Sequence, residues 1–537
     1  MLLGCFDRVR CGGAWLLRGM VVWGLFEFLV LLPGCKGRVE GPGTVVVAIE
    51  SSPNNLDLRV GTDAQSERIG ALVFDALVRK DEHYELQPWL ARSWEQPDAL
   101  TWVFHLRDGV RFQDGRKLEA KDVAWTIRSM VDGSLVTAKG GAFATVDRVE
   151  VRDPLTVLVR MKRPEAGLLF NLSDGLFGVV PEGSGKDFGL HPVGSGPFRF
   201  VSQVQDKEVV LERNPGYWGD EVLSQGLRSR AGGGSRVERL RFAVVPDAIT
   251  TALELRKGSA DLESNAITLD MVHALRDLAG LKTESGPSSV VVYVNFNVTD
   301  PLLRDKRVRQ AVACAMDRQA IVDALWRGHA RLASSLLPPG HWARAEEGEV
   351  AQYPHDVARA QRLLDEAGFP AGKDGVRLRL TLKTSTDETT RLMAAVLQQQ
   401  MREAGIALQI RSAEFGTFYS DVTRGAFQMY ALRWIGSNED PDIFRYAYAT
   451  ASFPPRGGNR GRYSNGRLDA LLTEAAGSMD LNVRRRDYVE VQKILAEELP
   501  GIPLWYPDNE VVHTTRVTGV RPVGAGGFDY LGRAQAR

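Results

Sequence analysis

Few of the residues that could do chemistry in this chain are spaced to do it. Ser195 stands in Val193-Gly194-Ser195-Gly196, where a strained nucleophile turn needs glycine in place of Val193. Gly185-Lys186 lacks both the upstream glycine and the following Ser or Thr of a phosphate-cradling loop. The eight histidines are scattered, with no pair three or four residues apart to offer one helix face to a metal. Acidic pairs are too common among 67 Asp and Glu residues to mark a general acid and base. No catalytic residue, metal ligand or cofactor is expected. Binding asks for something else: a cleft with apolar and aromatic walls and a few convergent polar groups. The candidates at predicted strand ends and turns are Ser51, Asn54, Ser195, Asn295, Asn297, Trp434, Ser437, Asn438, Asp440, Trp505 and Tyr506. Each has a structural alternative; Trp434 fits a core, and Asp440 fits a turn cap before Pro441.

At 537 residues the chain is long enough for two or three domains, and 44% apolar with 25% charged residues is ordinary for a globular protein. Lys plus Arg equals Asp plus Glu at 67 each, so no net field favours nucleic acid or anionic lipid. Arg8, Arg10 and Arg18 precede an apolar run from Met20 to Leu32, broken by Gly24 and Glu27. That run is short for a bilayer span and fits the core of an export signal over residues 1–35. It ends in Leu32-Pro33-Gly34-Cys35, which is similar to a lipobox, with Cys35 the residue to be lipidated; the alternative is a plain export signal. Removal of residues 1–34 leaves 64 basic and 65 acidic residues. Cys5 and Cys11 go with the signal, Cys35 is acylated, and Cys314 has no partner for a disulfide. Its place between Ala313 and Ala315 on a predicted helix favours packing over reactivity.

The elements follow from periodicity and breakers. Thr44 to Ile49 reads as a strand, then Ser51-Ser52-Pro53-Asn54-Asn55 as a turn, and Arg68 to Leu77 as a helix. Trp102, Phe104 and Leu106 alternate with Val103, His105 and Arg107 in a half-buried strand, and Asp108-Gly109 and Asp114-Gly115 flank a tight meander. Two strands are expected around Asp153-Pro154, and Gly226 to Arg236 reads as a surface insertion. Val290 to Phe296 is β-branched and aromatic, a buried strand broken by Asn297 and Pro301. Asp305 and Asp317 are expected to cap two helices. Strands at Val376–Lys383, Ile406–Ile410 and Phe427–Trp434 alternate with helices, a rhythm that predicts a mainly parallel sheet.

Several blocks in this order carry a resemblance. Pro88-x-Leu90-Ala91-x-Ser93-Trp94 leads into Thr101-Trp102-x-Phe104-x-Leu106-Arg107-x-Gly109-Val110-x-Phe112-x-Asp114-Gly115 and Asp122-Val123. His191 to Phe200, Asn214 to Trp218, Arg307 to Ala311 and Asp317 to Val322 follow. The chain resembles the family 5 extracellular solute-binding proteins, the peptide- and nickel-binding subunits of ABC importers. The resemblance covers about Thr44 to Tyr506. It implies an α/β, two-lobed periplasmic-binding-protein fold (class II, cluster C type). Residues 36–285 would form lobe I, with an extra subdomain over about 61–186; residues 286–499 would form lobe II, and 500–537 would return to lobe I. Crossings are expected at Gly286–Asn297 and near Pro500.

The implied function is capture of a peptide or peptide-like solute in the interlobe cleft and delivery to ABC permease subunits. The protein would act as a monomer, in the periplasm or at the outer face of the cell membrane, held there by its lipid, without nucleic acid. The alternatives are a non-peptide solute such as a metal chelate or sugar, a secreted hydrolase with dispersed catalytic residues, or a chaperone-like surface protein. Peptide-binding members place an Asp for the ligand's ammonium where this chain has Ser437. A hydroxyl supplies no charge-assisted bond, so either Glu439 or Asp440 takes over or the ligand lacks a recognised free amine.

Overall fold

The computed structural model describes residues 41, 43–226, 235–436 and 439–537, and Gly43–Arg537 is one unit. The export-signal segment with Cys35, and the loop residues Ser437 and Asn438, lie outside the described residues.

The chain begins with β1 (Thr44–Ile49), fully buried, and then a helix over Ala64–Val73. That helix starts earlier than its apolar spacing suggests, because the Asp63 side chain accepts from Ser66 N, and it stops where Phe74 turns extended. A ribbon of β2 (Val78–Lys80) and β3 (Leu86–Pro88) leads to a four-stranded antiparallel sheet. Its strands are β4 (Ala91–Asp98), β5 (Thr101–Leu106), β6 (Val146–Asp153) and β7 (Thr156–Met161), in the order β4-β5-β7-β6. The alternation read at Trp102–Leu106 and the turn at Asp153-Pro154 are both present. The helix Ala120–Val131 packs on this sheet; Glu119 and Asp122 form a reciprocal capping box at its start. These elements share one core between Ala76 and Val179.

The remaining strands make two large sheets. The first receives β8 (Phe198–Val204), β9 (Glu208–Arg213), β11 (Arg239–Val244), β12 (Leu262–Ser264) and β13 (Leu281–Gly286), while β10 (Ser235–Arg236) stands apart. The second holds β14 (Val291–Phe296), β15 (Ala330–Leu332), β16 (Leu378–Ser385), β17 (Ile406–Ala413), β18 (Met429–Trp434) and β19 (Gly501–Pro507). The chain then returns through β20 (Asn509–Thr514) to the first sheet, ordered β13-β20-β12-β1-β11-β9-β8. Finally β21 (Val517–Thr518) and β22 (Gln535–Ala536) pair with β10 in a small sheet.

Two expectations need correction. The second sheet, ordered β15-β19-β14-β18-β16-β17, is mixed rather than mainly parallel. Only β16 with β17 and β16 with β18 are hydrogen-bonded in parallel, because β19, arriving from the last α-helix of the chain, inserts antiparallel between β15 and β14, and β14 in turn pairs antiparallel with β18. The return at Pro500 also lies later. β19 is hydrogen-bonded to β14 and β15, so the chain leaves the second sheet after Pro507, through Asp508 alone.

Asp305 and Asp317 cap their helices as read, accepting from Arg307 N and Ala320 N at 2.9 Å each. Cys314 is buried in the core of the second sheet.

Candidate functional site

The chain passes between the two large sheets twice, and both passages are short. From Gly286 at the end of β13 it reaches Val291 at the start of β14, and from Pro507 it reaches Asn509. Gly286 is required: a Cβ there would stand 2.0 Å from the carbonyl oxygen of Pro522. Asn509 Nδ2 donates to Gly524 O at 3.0 Å and Pro287 O at 3.3 Å, and Ser289 N donates to Gly524 O at 3.0 Å. The segment around Gly524 therefore bolts both passages side by side.

β14 and β18 are antiparallel, with Val291 opposite Trp434 and Phe296 opposite Met429. That register sets Trp434 next to the first passage and sends Asn295 about 14 Å down the strand, at about 3.4 Å per residue. Beyond Trp434 the chain carries Glu439, only 4% exposed. Lys80 Nζ, from β2, donates to Glu439 Oε2 at 2.7 Å, and Ser289 Oγ donates to Oε1 at 2.8 Å. Burial works against the Lys80 ammonium, but Glu439 and Asp174 outweigh it and hold the group above its ordinary range. His341 is pushed down to about 3 by burial and is therefore neutral. Its Nδ1 accepts from Ala343 N at 3.0 Å, which leaves the proton on Nε2 to be donated to Glu439 O at 3.0 Å. Tyr84, beyond β2, stacks on His341 at 5.5 Å, and Trp342 N donates to His83 O at 3.3 Å. A second ion pair closes the same seam. Glu165 Oε1 accepts from Arg445 Nη2 at 2.9 Å, and Arg445 Nε also donates to both oxygens of Asp442, at 2.9 and 2.8 Å.

Above the seam the second sheet ends in aromatic rings. Trp434 stacks on Tyr293 at 5.7 Å and 10°, meets Tyr446 edge-on at 6.0 Å, and has the Arg460 guanidinium 5.3 Å from its ring. Tyr446 is 46% and Ile435 56% exposed, so this end of the sheet presents an aromatic and apolar surface.

The residues named from the sequence separate into two groups. Trp434 and Asp440 lie at this end of the second sheet. Asp440 Oδ1 accepts from Asp442 N at 3.0 Å, and burial together with the neighbouring Asp442 raises its carboxyl to about 6. Ser51 and Asn54 are exposed on the loop after β1, where Asn54 N donates to Asp63 Oδ2 at 3.2 Å. Ser195, Asn295, Asn297, Trp505 and Tyr506 make contacts within the fold. Ser195 Oγ is buried and donates to Asp75 Oδ2 at 2.8 Å. Asp75 also accepts from Trp89 and Trp218 Nε1 and from Tyr217 OH, which joins three sequence motifs in one core network. Asn295 Nδ2 donates to Tyr430 OH at 3.0 Å, and Asn297 Nδ2 donates to Phe427 O at 3.2 Å. Trp505 is buried against Trp326 at 4.7 Å, and Tyr506 OH donates to Leu337 O at 2.7 Å.

Sequence reading missed Lys80, Ser289, His341, Glu165, Arg445 and Arg460, and named Glu439 only as a possible partner for a ligand's ammonium. None sits in a motif whose spacing signals chemistry; only the fold brings them together from positions 80 to 460. Among the described residues no group of His, Cys, Asp and Glu could hold a metal ion, and no helix is long and apolar enough to cross a membrane.

Comparison with known proteins identifies this architecture. The model for bacterial extracellular solute-binding proteins, family 5 Middle, matches residues 85–453. The chain belongs to this family. Its members are binding proteins rather than enzymes, and this protein is an extracellular or periplasmic substrate-binding protein of the peptide/nickel type of ABC transporter. A probable di/tripeptide-binding protein 5 of Pseudomonas aeruginosa is 28% identical over 534 residues, covering 93% of this chain and 97% of the relative. The glutathione-binding protein GsiB of Salmonella paratyphi A is 28% identical over 498 residues, covering 90% and 93%. The crystal structure of NikZ from Campylobacter jejuni with Ni(L-His) superposes with a TM-score of 0.76 at 24% identity, covering 92% of this chain and 100% of that one. The fold of the family 5 protein is thus the mixed α/β fold of cluster C periplasmic binding proteins.

Proposed function

We propose that this protein captures a peptide or peptide-like solute between its two large sheets and delivers it to the permease of an ABC importer. Closure is a rigid-body rotation about the two passages at Pro287–Val290 and Asp508, and the closed shape is what the permease recognises. On this reading the lobes are residues 36–285 with the returning C-terminal segment, and residues 286–507. Cys35 carries a lipid that holds the protein at the membrane.

The observation that carries the reading is the placement of Glu439. It follows the aromatic end of β18, is tied to the first passage through Ser289, and is held from the other side by Lys80. A contact built across a seam that the described residues cross in two short passages suits a clamp. Excluding water there strengthens each polar contact to an enclosed solute. Relatives named for di/tripeptides and for glutathione support the solute class.

Glu439 is already held by Lys80 and Ser289 and is unavailable for a ligand's ammonium. With Ser437 neutral, the reading expects a dipeptide and its N-acetylated form to bind with equal affinity by calorimetry. Small-angle scattering tests the clamp itself: the radius of gyration should fall when di- and tripeptides are added. A radius indifferent to every peptide, metal chelate and sugar offered would overturn the proposal. For the anchor, a Cys35→Ala variant should appear in the soluble fraction of cells rather than the membrane fraction.

A further inference from the structure

Arg460 is 5% exposed, yet it has no acidic partner among the described residues. Its guanidinium lies 5.1 Å from the ring centre of Tyr419 and 5.3 Å from that of Trp434. Nη2 donates to Tyr419 OH at 2.8 Å, while Nη1 has no hydrogen-bond partner. The groups that face it are phenols, those of Tyr293, Tyr419 and Tyr430; Tyr430 interacts with both the guanidinium and the Tyr293 hydroxyl, but neither Nη1 nor that hydroxyl has a partner of full hydrogen-bond geometry. Other enclosed arginines have carboxylate or main-chain acceptors: Arg59 is paired with Asp57 at 2.7 Å. Arg309 donates to the carbonyls of Leu303, Arg304 and Leu499, and Arg318 to those of Ala333 and Pro503. An enclosed cation without carboxylate or carbonyl is unfavourable unless something else supplies the missing acceptor.

Nor is the position an accident of a loose loop. Asn459 Nδ2 donates to the carbonyls of Tyr448, Ala449 and Tyr463 at 3.1, 3.0 and 2.8 Å. A Cβ at Gly461 would stand 2.4 Å from Phe296 O, so the chain is pressed against β14. At Gly458 a Cβ would stand 2.5 Å from Tyr446 Cε1 and 3.2 Å from Trp434 Cη2, so glycine keeps the two rings within reach of each other. The guanidinium is thus presented by a fixed turn to the aromatic end of β18.

We propose that Arg460 is the anion-recognising residue of the ligand site and takes a carboxylate of the solute, whose adjoining planar or apolar part lies on Trp434 and Tyr446. Two unpartnered donors, Nη1–H and the Tyr293 hydroxyl, match the two oxygens of one carboxylate. Displacement of the Tyr419 hydroxyl would free a second edge of the fork for bidentate binding. This inference rests on the solute-capture reading above and narrows it to acids.

The test uses tri-alanine, tri-alanine amide, succinate and tricarballylate as probes, titrated by calorimetry against the processed chain and its Arg460→Met and Arg460→Lys variants. The expected result is at least thirtyfold weaker binding of the amide than of the acid by the wild-type protein. Arg460→Met should remove that ratio without lowering the melting temperature, and Arg460→Lys should keep part of it. Equal binding of acid and amide by the wild type overturns the Arg460 assignment and leaves peptide capture standing. If neither tripeptide binds, peptide capture fails. Saturable binding of succinate or tricarballylate that Arg460→Met abolishes then keeps the anion site, and no binding of either acid overturns it.

Discussion

Lys80→Met isolates the contact on which the seam turns. Methionine preserves the length and apolar stem of the side chain but removes the ammonium. The Glu439 carboxylate, 4% exposed, is then left with Ser289 Oγ on Oε1 and no cation. Removing one member of a buried, hydrogen-bonded ion pair costs about 2–5 kcal/mol. The Lys80 side chain keeps 16% exposure, so water reaches the pair, and Ser289 stays. Both points place the effect at the low end, about 2 kcal/mol, or about thirtyfold in Kd. Lys80 lies on the β2–β3 ribbon and Glu439 beyond β18, so the loss should fall on the closed form alone. Calorimetry with a tripeptide on wild type, Lys80→Met, Glu439→Gln and the double variant gives the coupling directly. Lys80→Met should bind about thirtyfold more weakly. The double variant should recover most of the loss, because a neutral amide needs no counter-charge. The melting temperature without ligand should stay within about 2 °C of wild type. Undiminished affinity in Lys80→Met, or a double variant equal to the sum of its parts, would refute the reasoning.

Three further outcomes follow from the same geometry. Ser195→Ala should lower unfolding free energy by about 1.5 kcal/mol, since Asp75 keeps three other donors, and leave ligand affinity unchanged; a binding defect at full stability would return Ser195 to the site. Glu165→Ala should weaken binding by at most about 1 kcal/mol, because Arg445 retains both oxygens of Asp442; a thirtyfold loss would contradict that. Asp440 has a folded pKa raised to about 6 from 3.8, so the native state binds the extra proton. Its contribution to stability is full below about pH 4 and is lost as pH rises through about 6. His341, pushed down to about 3, has the opposite slope, so the difference between wild type and Asp440→Asn is the diagnostic quantity. Denaturant unfolding should show wild type losing ground to Asp440→Asn from pH 4 to 7; a flat difference would count against the burial of Asp440.

Sequence alone determined the family and much of the local structure. Alternation at Trp102–Leu106, the caps Asp305 and Asp317 and the breakers after Phe296 act between near neighbours, and local hydrogen bonding and side-chain direction suffice to place them. Motif order then carried the fold. The same locality says nothing of partners that are distant in the chain. Ser195 stands in a glycine-rich turn, and the partner of its hydroxyl, Asp75, is 120 positions away. Asn295 and Trp434 both end or flank strands, and only the antiparallel register of β14 and β18 separates them, one beside the passage and one deep in the sheet. Lys80 and Glu439 are 359 residues apart, and neither residue type at its own position signals a contact. Which charges meet, and which, like Arg460, meet none, was decided by tertiary packing, because electrostatic pairing and burial are set by distance in space and leave no period in the chain.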